Sequence, residues 1–237
     1  MRWIWLGMVL ALAGCVEVMP ADPLPTPGAP PPASADEPRL SPQQAVNMFV
    51  GVVARMKPVA ERICREQNPA LNCDFEIVVD SRSQQSNAYQ TVNAQGRPIL
   101  AFTVPLIAEV RNADELAFVM GHEAAHHIAG HLTRTQETAA IGGLLGGILA
   151  SATGAGQAGI EAAQNIGATV GARSYSRNYE LEADQLGTLI TYRAGYDPMR
   201  GAQFFNRIPD PGDRFLGTHP PNSQRIEVVR RTMANMR

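Results

Sequence analysis

The chain has 237 residues, a net charge near −2 and no basic block, so nothing in its charge points to nucleic acid as a partner. Its 45% apolar content is enough for one domain with a real core once the N-terminal region is set aside. Cysteine is scarce, at three residues, and four of the five histidines fall within the eleven residues 121–131.

The first fifteen residues, MRWIWLGMVLALAGC, have the layout of an export signal: Arg2, an apolar run too short to span a bilayer, then small residues. The LAGC ending resembles the bacterial lipoprotein signal, in which the cysteine becomes the lipid-bearing first residue. Residues 1–14 are therefore expected to be the signal, Cys15 the lipid attachment point, and 15–40 a proline-rich, extended tether. Val16, where an aspartate often marks inner-membrane retention, points to the periplasmic side of the outer membrane. Residues 41–237 form the expected folded domain. In an exported chain, Cys64 and Cys73 are expected to pair as a disulfide tying the first helix to the strand after it.

Ser41-Pro42 predicts a helix start, with the helix running to about Glu66 and kinked or divided at Pro58. FEIVVD (75–80) reads as a strand; NAYQTV and PILAFTV, flanking a turn at Gly96, read as a hairpin, which gives a small antiparallel sheet. RNADELAFVMGHEAAHHIAGHLTRT reads as one helix capped by Asn112, with Glu115 as capping-box partner. Residues 138–160 contain no charge and seven glycines. They are read as a Gly-rich hairpin or mobile flap over the site, with a membrane span as the alternative. SRNYELEADQLGTLITYRAG is a second strong helix stopping at Gly195, and the chain closes with a helix after a Pro-Pro turn.

Residues four apart on a helix share a face. His122 and His126 do so, and Glu123 follows the first of them, which makes His-Glu-x-x-His: two imidazole ligands and a carboxylate about 100° round the helix, placed to hold a water. His127 lies too far round to join the same tetrahedral site. It and His131 are expected to be supporting, packing or surface groups. A catalytic zinc site needs a third protein ligand and one open position. ELEAD offers it: Glu180 and Asp184 share a helix face while Glu182 points away. Glu180 is expected to ligate, Asp184 to accept the outer N–H of a ligating histidine, and Glu182 to be a solvated carboxylate.

With both motifs placed, the chain resembles the zinc metallopeptidase family of the CAAX prenyl proteases, most closely its bacterial periplasmic lipoprotein branch. NAY (87–89), DELAFVMGHEAAHHIAGH, SRNYELEADQLG and THPPNSQRI occur in family order from about Ser41 to the end. The resemblance implies an α+β, mainly helical zincin (gluzincin-type) domain with a small antiparallel sheet and the His-Glu-x-x-His on its active-site helix. It also implies Glu180 as third ligand of one zinc ion, His219 within reach of the metal or the reacting group, and Arg225 near the site. The four spanning helices of membrane-embedded members are not found, so prenylated substrates are not expected.

The expected activity is hydrolysis of internal peptide bonds in unfolded or misassembled envelope proteins, with Glu123 as general base and His219 or Arg225 stabilising the oxyanion. Extended substrate is expected to add to a sheet edge around 98–104, with weak side-chain specificity. His219 would render the enzyme latent if it held the metal's fourth position at rest. The alternative is a lipid-anchored, chaperone-like or latent factor that keeps the metalloprotease fold and acts by binding clients. The sequence does not specify an oligomeric state.

Overall fold

The architecture was taken from a computed structural model that describes residues 37–174, 176–210 and 220–236. Helix α1 (Pro42–Gln67) opens on a complete capping box: the Ser41 hydroxyl accepts from the Gln44 N–H at 3.3 Å, and the Gln44 side chain accepts from the Ser41 N–H at 2.9 Å. Pro58 does not divide it. The missing N–H forfeits one bond, but Val52 and Met56 before it and Ala60 and Ile63 after it are buried on one face, and that burial holds the helix through the proline. Cys64 near its end is bonded to Cys73, with Cα atoms 5.8 Å apart.

The sheet is mixed rather than antiparallel. Strands β1 (Glu76–Asp80), β2 (Ala88–Val92) and β3 (Pro98–Thr103) lie in the order β1-β3-β2. The β2–β3 hairpin is antiparallel as its turn residues predict, with Tyr89 opposite Ala101, but β1 runs parallel to β3, with Val78 opposite Ala101. The reason is burial. PILAFT is nearly all buried and takes the centre, so β1 is left its other flank, and the chain crosses the sheet end through 81–87 before returning as β2. Tyr89 Oη donates to Asp80 Oδ2 at 3.0 Å, and Thr103 exchanges bonds with Asn87, so that crossing is tied down.

After the short α2 (Val104–Glu109), helix α3 (Ala113–Ile128) starts on Asn112, whose side chain accepts from the Glu115 N–H at 3.0 Å. Glu115 does not close a capping box. Its buried carboxylate accepts from the Arg111 N–H and forks onto Arg207 at 2.6 and 2.5 Å. The histidine segment is not one helix: it breaks at Gly130, whose φ of +68° only glycine adopts cheaply, and α4 (His131–Ala152) sets off in a new direction.

The uncharged segment forms two helices, α4 and α5 (Gln157–Ser174), turning through 153–156. No helix among the described residues is long and apolar enough to cross a membrane. Helix α6 (Ser176–Arg193) then lies across α3, followed by α7 (Pro198–Gly201), a 3₁₀ turn (Ala202–Asn206) and α8 (Asn222–Asn235). The α3–α6 crossing is glycine on glycine. A Cβ on Gly187 would stand 2.9 Å from the His122 nitrogen, and one on Gly121 would stand 2.8 Å from the Gly187 carbonyl oxygen. This contact sets the distance between the two helices that carry the site.

Candidate active site

His122 and His126, one turn apart on α3, bring their Nε2 atoms within 3.0 Å. From α6, Glu180 places Oε2 3.5 Å from His122 Nε2 and Oε1 3.3 Å from His126 Nε2. Three ligand atoms each about 2.0–2.1 Å from one tetrahedral ion lie about 3.3 Å apart; here the triangle's two nitrogens and one carboxylate oxygen all lie within 4.8 Å of one another, near enough to close on an ion. Among the described residues it is the cluster of His, Cys, Asp or Glu able to hold an ion.

The outer nitrogens are spoken for, which leaves Nε2 of both imidazoles directed at the centre. His122 Nδ1 donates to Asp184 Oδ1 at 2.9 Å, and Arg225 forks onto the same carboxylate through Nε at 2.8 Å and Nη2 at 2.7 Å. Burial alone would raise the Asp184 carboxyl, but the Arg225 charge and the bonds from Arg225 and His122 hold it below its ordinary value. Burial and Arg225 push His122 down, yet Asp184 and Glu180 outweigh them and lift it to about 9. A metal bound at Nε2 must therefore displace a proton from His122. Arg225 is buried behind the ligands, stacked over Phe205 at 4.0 Å and 3.6 Å from Glu180 Oε2. Its guanidinium is thus engaged with the site's own carboxylates.

His126 has a support of its own. His131 Nδ1 lies 2.9 Å from His126 Nδ1, and its Nε2 lies 3.2 Å from Glu182 Oε2, which also accepts from Arg134 at 3.0 Å. The ring stacks on Tyr179 at 4.7 Å. Burial and the neighbouring His126 lower His131 to about 4, so it is neutral and can accept the His126 N–H. Glu182 is therefore not merely solvated. His127 packs away from the cluster, edge-on to Phe75, with Nε2 donating to the Asn72 carbonyl at 2.8 Å.

Glu123 and Arg225 line, with the three cluster residues, a cleft of about 650 Å³. Its lining includes Asn87 and, from β2, Ala88, Tyr89 and Gln90; β2 is an edge strand of the sheet, whereas β3 at 98–103 is paired on both sides and offers no edge. Among the described residues, the α4–α5 hairpin contributes to the lining through its base, at His131, Leu132 and Thr135. Cys15 and His219 lie outside the described residues. Sequence spacing missed the His131–Glu182–Arg134 chain, because the Gly130 break removes helical periodicity between His126 and His131.

A family model described as Peptidase family M48 matches residues 52–233. The chain belongs to peptidase family M48. M48 metallopeptidases are metal-dependent, and among the described residues the His122–His126–Glu180 triangle is the place that fits a metal. Among named proteins, the chain is similar to the mitochondrial metalloendopeptidase OMA1 of Saccharomyces cerevisiae, at 33% identity over 54% of this chain and 38% of that protein. It is also similar to the beta-barrel assembly-enhancing protease of Escherichia coli, at 31% identity over 53% of this chain and 28% of that protein. The chain thus spans well under half the length of the curated relatives it matches.

Proposed function

We propose that the protein is a zinc-dependent endopeptidase of the cell envelope, held by lipid on Cys15 at the periplasmic side of the outer membrane and acting on unfolded or misassembled proteins. The observation that carries the catalytic part is the triangle of His122, His126 and Glu180 with Glu123 beside it in an open cleft. His122, His126 and Glu180 would hold one zinc ion. When bound, the ion supplies Lewis acidity to a scissile carbonyl and to a water.

Glu123 accepts the proton of the attacking water and passes it to the leaving amine. Asp184 and His131 fix the orientations of His122 and His126. With Arg225 committed to Asp184, its part is to position that carboxylate, and His219 is the side chain left to stabilise the oxyanion. Extended substrate adds along β2, an edge strand whose Ala88, Tyr89 and Gln90 line the cleft; backbone pairing reads little sequence and suits unfolded clients.

The test is digestion of an unfolded model protein with zinc, beside the Glu123→Gln variant. Cleavage at many internal bonds by the parent alone is expected. Equal client protection by both without cleavage would overturn the enzyme reading in favour of a binding factor.

A further inference from the structure

The α4–α5 hairpin is built the wrong way round for water. Its inner seam is made of small residues: a Cβ on Gly142 would come 2.1 Å from the Gly167 carbonyl oxygen, one on Gly146 2.3 Å from that of Ala163, and one on Gly171 2.1 Å from that of Thr138. The two backbones touch. The large aliphatic residues are outside instead. Ile141, Leu144, Leu145, Ile148 and Leu149 recur at the three- and four-residue spacing of one helix face, each more than half exposed, and Ile166 on α5 is exposed as well. A hairpin shaped by water buries such residues in its seam. Small residues inside and aliphatic residues outside is the distribution that a hydrocarbon solvent selects, where close backbone packing holds helices together.

Charge and length agree. Residues 138–172 carry one charge, Glu161, and apart from the turn at 153–156 they lie in two helices, whose interior N–H and C=O groups pair within the helix. The uncharged part of α4 is fifteen residues, about 22 Å, against a hydrocarbon core of about 30 Å, so it is too short to cross and suited to lying within one face. The residues between Cys15 and Glu37 number 21, and covalent geometry caps their reach at about 75 Å. A lipid on Cys15 would therefore keep a bilayer within range of the hairpin.

We propose that the α4–α5 hairpin seats in the surface of a lipid bilayer through Ile141, Leu144, Leu145, Ile148 and Leu149, as a second membrane contact beside the lipid anchor. The inference rests on the anchored location proposed above only for what brings the membrane near. Its position in the chain gives the contact a consequence. The hairpin lies between the helix carrying His126 and the helix carrying Glu180, and its first residue, His131, is the partner of His126. Seating it fixes the metal site, and the cleft beside Leu132 and Thr135, relative to the membrane.

The test uses the mature full-length protein carrying Ile148→Trp. The chain's two tryptophans, Trp3 and Trp5, precede Cys15, so the new indole is the sole reporter once the signal is removed. With phosphatidylethanolamine–phosphatidylglycerol vesicles containing lipids brominated along the acyl chain, a blue shift and strong quenching are expected. Val46→Trp, at an exposed position on α1, should show neither. The mass of the N-terminal peptide reports separately on lipid at Cys15. Quenching without that lipid would sustain the hairpin seat while removing the anchor. An anchored protein whose Ile148→Trp emission is insensitive to brominated lipid overturns the proposal. So does a blue shift that appears without vesicles and grows with protein concentration in step with dimerisation, since that would assign the face to a second copy.

Discussion

Gly187→Ala tests how the site is assembled, because this glycine lets α6 approach α3 at His122. A methyl there would stand 2.9 Å from the His122 nitrogen, 3.0 Å from its Cα and 3.1 Å from the Gly121 carbonyl carbon. Ordinary contact begins at about 3.5 Å, and all three neighbours are backbone, so the helices must part by about half an ångström. Overpacking of this kind costs about 1–3 kcal/mol, offset by about 1 kcal/mol of improved helix propensity. The net loss of stability is then about 0–2 kcal/mol, and the fold should survive. The metal site is less tolerant, since ligand distances must hold to about 0.2 Å and Glu180 rides on the helix that moves. Affinity measured by competition with a chromophoric chelator should fall by at least about tenfold. Gly51→Ala on α1, with open space around it, should leave affinity unchanged and raise the unfolding temperature. If Gly187→Ala binds metal as the parent does, the glycine contact does not set the site and the reasoning fails.

Asp184→Asn should keep the fold but weaken metal binding by about 10–100-fold, because the amide no longer draws the His122 N–H as a charge does; chelator competition reads this directly. Reducing the Cys64–Cys73 bond, which closes a loop of sequence separation 9, should lower unfolding stability by about 2–3 kcal/mol in denaturant titrations, with metal affinity preserved. Glu37, held by bonds from Arg200 and Asn112, has its carboxyl depressed below the ordinary 4.5. A depressed carboxylate contributes stability that is present above 4.5 and lost as pH falls through the folded value, so Glu37→Gln should lower stability at neutral pH, and the gap to the parent should close as pH falls through the folded value.

What could be read from sequence was what periodicity encodes. His122, His126, Glu180 and Asp184 sit on two helices, and fixed spacing on a helix is geometry in itself. The β2–β3 hairpin was legible from its Gly96 turn for the same local reason. Parallel pairing of β1 with β3 was not, since it depends on which strand is buried most deeply, a property of the whole core. Nor was the partnership of His126 with His131, created by a left-handed glycine that ends one helix and redirects the next. Residues 138–160 were legible as a hairpin but not as a helical one: glycine reads as flexibility in a single segment, whereas here it permits two helices to touch.

The most direct test measures metal content and proteolysis on the same purified samples of the parent, Glu123→Gln and Glu180→Gln. One zinc and cleavage of an unfolded protein are expected in the parent, one zinc and no cleavage in Glu123→Gln, and loss of both in Glu180→Gln. Cleavage that survives Glu123→Gln, or one full equivalent of tightly held zinc in Glu180→Gln, would contradict the zinc-endopeptidase reading.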